Sequence, residues 1–238
     1  MRLDDLNWMD VEGYLKHDDR LILVLGACEQ HAYLSLLTDI RIPLALADSA
    51  SQHTGVLVAP PLNFGISPYF LAYPGTFSLR VSTMIDTVED LVRSAYRQGF
   101  RRILILNGHG GNSPVKSHLN QVVNGLAGLR LNWNDWWQSH SVETVALKHN
   151  IKPGHANWLE TFAFTIVADL PKEEKIPPNV PSPIMDAKMT RQVYGDGSVG
   201  GPYQAGESVM HEVFQAALGD IIDLLKFDDF PLTELPGG

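Results

Sequence analysis

The chain has 238 residues, 45% of them hydrophobic, a net charge of −9 and a single cysteine, Cys28. That length and apolar content suit one domain over residues 1–238, built round a sizeable core. The 18 basic residues are scattered, which leaves no electrostatic footprint for nucleic acid or an anionic membrane, and one cysteine excludes an internal disulfide framework. The opening MRLDDLNWMDVEGYLK lacks the basic flank and apolar run of a signal peptide, and no apolar stretch reaches the roughly 18 residues of a membrane span, so a cytoplasmic protein is expected.

In chain order, residues 21–28 (LILVLGAC) are the first short aliphatic run that reads as a buried strand, and residues 55–59 are the second. Residues 82–98 follow, with Met84, Ile85, Val88, Leu91, Val92 and Ala95 at helical spacing and Gly99 as a stop. Residues 102–106 are a third strand, residues 114–126 a helix and residues 129–133 a further strand. This alternation predicts a three-layer α/β domain with parallel strands and ligand groups at their carboxyl ends. The proline-rich and charged stretch 170–183 reads as a surface excursion, or as an arm that reaches a neighbouring subunit. Residues 195–202 (GDGSVGGP) lack the preceding strand and the spacing of a phosphate loop, and read as a turn. Residues 206–225 close the chain as an amphipathic helix, with Val209, Val213, Ala216, Ala217, Ile221 and Leu224 on one face.

Three constellations fall in loops. Glu29-Gln30-His31 follows the first strand, and Asp39 comes eight residues after His31. In extended chain Glu29 and His31 point the same way, while Cys28 faces away and is neither ligand nor nucleophile. The alternative is an ordinary polar loop. Asn107-Gly108-His109-Gly110-Gly111-Asn112 follows the third strand without a gap, and glycines round one histidine mean a sharp turn or a close approach. Gly154-His155-Ala156-Asn157-Trp158-Leu159-Glu160-Thr161 leads into the apolar run 162–168, where Glu160 reads as opening a helix; the bland account of Glu160 is then a first-turn acid favoured by the macrodipole. Oxygen and imidazole donors without thiolate suit zinc, manganese or iron. His17, His53, His118, His140, His149 and His211 lack such companions, and no G-x-S-x-G elbow is present.

In order, LVLGACEQH with Asp39, the stretch 60–80 ending in Pro-Gly-Thr and an alternating strand, NGHGGN, GHANWLET and GSVGGP resemble the creatininase family of metal-dependent amidohydrolases. The resemblance implies a mostly parallel central sheet flanked by helices, and two divalent ions. Glu29, Asp39 and His109 would hold one, and His31, Asp39 and Glu160 the other, with Asp39 bridging. It implies hydrolysis of a non-peptide C–N amide bond, cyclic amides among them, by a metal-bridging hydroxide, with His155 donating the proton to the leaving nitrogen. Thr76, Ser78, Gly110, Gly111 and Asn112 would line or bind the substrate. Homo-oligomers, often hexamers, are usual in the family. The chain departs from the pattern at Gly111, where creatinine-opening members place a ligand glutamate, and Glu160 is the candidate for that position. It also departs in the loop 32–38, one residue shorter and without a second histidine, and at Trp158, where a glutamate is common. Hydrolysis of small peptides or formamides on the same scaffold, and metal binding without turnover, are the rival readings.

Overall fold

Aliphatic runs become the strands of one parallel sheet in the computed structural model, which describes residues 1–182 and 184–228. The strands are β1 (Arg20–Leu25), β2 (Leu57–Val58), β3 (Arg102–Asn107) and β4 (Arg130–Asp135), in the order β2-β1-β3-β4. The helices are α1 (Trp8–Tyr14), α2 (Thr38–Thr54), α3 (Val81–Gln98), α4 (Ser113–Gly125), α5 (His140–Lys148), α6 (Ala187–Tyr194) and α7 (Glu207–Leu224). Side chains alternate across a strand, so β1 and β3 feed two cores. Ile22, Val24, Leu104 and Leu106 pack against α2, α5 and α7, while Leu21, Leu23, Leu25, Ile103 and Ile105 pack against α3 and α4. The three-layer α/β architecture expected from the alternation is the one observed. No helix among the described residues is long and apolar enough to cross a membrane.

Strand order reverses between β1 and β3, because β1 connects outward to β2 and the chain then returns to the other side of β1. Such a switch point opens a crevice beyond the carboxyl ends of the strands. The Glu29 and His109 loops both leave from there.

Four expectations are corrected. The first strand stops at Leu25, and the second is shortened to Leu57–Val58 because Gly55, left-handed at φ 72°, caps α2. The alternating strand expected before residue 80 is absent: extended chain is tied by Phe77 N–H to Cys28 O (2.9 Å) and by Leu79 N–H to Gly65 O (2.8 Å), after a 3₁₀ turn at Pro68–Phe70. Glu160 does not open a helix. It ends the 3₁₀ turn Trp158–Glu160, and Thr165 donates its hydroxyl to Glu160 O and Phe162 O, both at 2.7 Å, so side chains cap the carbonyls that a helix would need. The macrodipole account of Glu160 therefore falls. The surface excursion is pinned in part, since Lys175 reaches Tyr194 O, Ser198 O and Asp196.

Candidate metal centre

Asp39 sits in the first turn of α2, which lies directly over the ends of β1 and β3. A Cβ at Gly26 or Gly108 would stand 2.3 Å or 2.0 Å from Asp39 O, so only glycine at both strand ends lets α2 approach this closely. Pro43, lacking an N–H, leaves the same carbonyl without its usual helical partner.

That placement turns each Asp39 oxygen to one imidazole. Oδ1 lies 3.0 Å from His31 Nε2, and Oδ2 lies 2.9 Å from His109 Nδ1. Beyond them stand Glu29, with Oε1 3.5 Å from His109 Nδ1, and Glu160, with Oε2 3.9 Å from His31 Nε2. Each imidazole spends its other nitrogen on a backbone carbonyl: His31 Nδ1–H donates to Glu29 O (3.2 Å) and His109 Nε2–H to Ile66 O (2.9 Å). Once these imidazoles are neutral, the nitrogens facing Asp39 are the ones with lone pairs, as metal ligation requires.

Two groups here fit an ion each, Glu29 with Asp39 and His109, and His31 with Asp39 and Glu160, and they share Asp39. Glu29 Oε2, His31 Nε2 and Asp39 Oδ2 are buried without a hydrogen bond of acceptable geometry, which is the condition of donors that await a cation. Electrostatics agree. Burial opposes charge on His31 and His109, yet Asp39, Glu29 and Glu160 hold His31 up at about 10, and Glu29 and Asp39 hold His109 up at about 9. Burial pushes Glu29 upward and raises Glu160 to about 7, while the two histidines draw Asp39 below the usual carboxylate range in spite of its burial.

A pH dependence follows. Below the unfolded histidine value the protons on His31 and His109 stabilise the metal-free fold in full, and that stabilisation is lost as pH rises through about 9 to 10. Ligand imidazoles must release those protons, so metal affinity should rise over the same interval. Thermal melts in chelator should show the melting temperature falling from pH 6.5 to 10; a flat or rising trend contradicts the assignment.

His155 belongs to a third group, with Glu29 and His31. Its Nδ1 lies 3.7 Å from Glu29 Oε1, its ring stacks on Phe70 at 4.7 Å, and it is the more exposed member. Burial, reinforced by His31, pushes it well below the ordinary value of 6.5, so the imidazole is neutral near pH 7 and cannot be the proton donor expected from the resemblance.

The expected substrate-binding residues divide. Gly110 lines the cavity over the centre, about 460 Å³, together with Tyr69, Phe70, Trp137, Gln138 and His155. Thr76, Ser78, Gly111 and Asn112 stand behind its wall. Thr76 Oγ1 accepts Gln30 N–H (3.0 Å) and Ser78 Oγ accepts Ser67 N–H (2.9 Å). Asn112 is fully buried and spends its amide on Gly26 O, Asn107 and Ile66 N–H. A Cβ at Gly111 would lie 2.0 Å from Ile66 O and 2.4 Å from His109 Nε2, so no side chain fits there. Trp158 is fully buried in the α2, α5 and α7 core, away from the centre. Tyr69, Phe70 and Trp137 were not signalled by any motif, because they come from irregular segments.

Residues 4–225 match the creatininase (creatinine amidohydrolase) family profile. The chain belongs to the creatininase family. It is 34% identical over 116 residues to creatinine amidohydrolase of Pseudomonas putida, covering 46% of this chain and 45% of that protein. It is 34% identical over 99 residues to a mycofactocin precursor peptide peptidase of Mycolicibacterium smegmatis, covering 39% and 40%. The match thus spans under half the length of either creatininase-family relative. Among solved structures, a manganese creatininase superposes with TM-score 0.77 at 20% identity, over 95% of this chain and 97% of that one. A Zn–Zn creatininase mutant gives 0.76 at the same identity and coverage. These likenesses establish the creatininase fold.

Proposed function

We propose that the chain is a metal-dependent amidohydrolase that cleaves a non-peptide C–N amide bond, with two divalent ions, zinc or manganese first among them and iron also compatible, held by Glu29, His31, Asp39, His109 and Glu160. The observation that carries the reading is the buried Asp39 carboxylate with one imidazole on each oxygen and a glutamate beyond each imidazole. Ions bound there would activate water and polarise an amide carbonyl. The chain's own residues supply the rest. Asp39, held below the usual carboxylate range by the two histidines, lines the cavity with Glu29 and Gly110. His155 Nδ1 faces Glu29 Oε1 and the cavity, where the neutral imidazole would donate a hydrogen bond to the leaving nitrogen, the proton which that nitrogen takes up coming from the attacking water. Tyr69, whose phenol is pushed up by burial and then by Glu29 and Asp39, stays protonated and offers a second donor, its O–H, to a substrate in the cavity. Assembly into a homo-oligomer is part of the same reading, supported by Ile176 on the arm and Ile184 just beyond it, each 87% exposed.

Creatinine should be a poor substrate. The carboxylate that creatinine-opening relatives carry would have to start from a Cβ at Gly111, where backbone and His109 leave no room, and the 32–38 loop is shorter. Steady-state assay of the metal-loaded protein should find creatinine turned over far more slowly than the best amide in a panel of lactams, formamides and short peptides. Rapid creatinine turnover would overturn this account of the pocket.

A second reading, hydrolysis of a small peptide or a formamide with a bulky remainder, is favoured by one observation. A further cavity of about 430 Å³ adjoins the first across Trp137, Gln138 and Pro153, and extends past Leu147 and Lys152. It gives room for a substrate much longer than one small ring. The same panel separates the two readings.

A further inference from the structure

Gln30 lies between two metal-ligand candidates, yet its side chain points to neither. Its amide is 5% exposed and held at three points: Oε1 accepts Ala32 N–H (3.1 Å), while Nε2 donates to Gly197 O (3.0 Å) and stands 2.9 Å from His155 Nε2. The first two contacts decide which end of the amide is nitrogen, because turning it over would set Oε1 against Gly197 O and Nε2 against Ala32 N–H. The second amide hydrogen is therefore aimed at His155 Nε2, which must accept it. A hydrogen on that nitrogen could reach Gln30 O, 3.2 Å away, only by facing the amide hydrogen across 2.9 Å.

From this geometry we propose that Gln30 is a positioning residue that fixes the hydrogen of the His155 imidazole on Nδ1, the nitrogen 3.7 Å from Glu29 Oε1. A nitrogen bearing hydrogen has no lone pair for a metal. His155 is thereby kept out of the coordination shell that its proximity to Glu29 and His31 would otherwise allow, and is presented to the cavity as a hydrogen-bond donor. That the donor meets a substrate rests on the reading given under Proposed function; the position of the hydrogen does not.

The arrangement also accounts for the glycine-dense turn 195–202. Gly197 has φ +104°, and a Cβ there would lie 1.7 Å from Gln30 Oε1, so the turn both tolerates the backbone and clears the space that the amide occupies.

The test is ¹⁵N NMR of the zinc-loaded protein, reading which imidazole nitrogen of His155 carries hydrogen, with the signal assigned by its loss in His155→Gln. The expected result is hydrogen on Nδ1 and a bare Nε2. Gln30→Glu replaces the donor by an acceptor, so the hydrogen should move to Nε2, and kcat on any amide found should fall about 10- to 100-fold with KM little changed. Should Gln30→Glu not fold, Gln30→Met removes the amide at similar volume and should abolish the preference for Nδ1. Hydrogen on Nε2 in the wild type, or an unchanged Nδ1–H in the folded variant, overturns the proposal. Absence of any amide turnover would instead count against the proposed function and leave the NMR result standing.

Discussion

Replacing Asp39 with alanine should empty both metal positions and abolish amide hydrolysis, the largest effect expected of any single change. In the proposed assignment Asp39 alone is shared by the two ligand groups, Glu29 with His109 on one side of it and His31 with Glu160 on the other. The substitution also removes the buried carboxylate that pairs with both imidazoles. Removing one partner of a buried ion pair typically costs about 3–5 kcal/mol, so the metal-free variant should also melt well below the wild type. Elemental analysis checks the main point: about two ions per chain in the wild type, few or none in Asp39→Ala, and about one in Glu160→Gln, as separate three-residue groups sharing one carboxylate require. Metal content unchanged in Asp39→Ala would show that the centre lies elsewhere.

His155→Ala should lower kcat by about 10² to 10³ while both ions stay bound, the range expected when a positioned hydrogen-bond donor is lost. The separation of the two readouts comes from the geometry. His155 stacks on Phe70 and hydrogen-bonds with Gln30, outside the two groups that share Asp39, and its removal leaves those groups complete. Parallel measurement of metal content and kcat decides it. Loss of an ion in the variant would make His155 a ligand, and full activity would assign the donor role to another group, Tyr69 first.

Much of this was legible in the chain itself. The aliphatic runs that became β1 and β3 are short, apolar and bounded by turn residues, while β4, RLNWND, is mixed and largely half-buried; helices with an uninterrupted apolar face, α3 and α7, begin and end within about one residue of where their spacing puts them. α2 was not legible, because Pro43 interrupts it and its buried face includes Thr38, Asp39 and Ser51. Four of the metal-ligand candidates, Glu29, His31, His109 and Glu160, stood out because they fall in polar loop clusters, and the structure brings them together with Asp39. Residues chosen as substrate contacts fared worse for a physical reason. Thr76, Ser78 and Asn112 are polar and close by, but backbone groups in the loops claim their hydrogen bonds first. Gly26 and Gly108, each immediately beyond a strand, were the available sign that another element lies over the strand ends, and the first turn of α2 is that element.

Cleavage of a C–N bond at this centre is expected to depend on bound metal. The direct measurement is amide turnover by one preparation stripped with chelator and then titrated with zinc or manganese, against lactams, formamides, short peptides and creatinine. The account expects no turnover in the stripped protein, and activity on at least one amide that rises with bound metal to a plateau at about two ions per chain. Full occupancy with every amide left intact, or turnover that survives complete removal of metal, would contradict it.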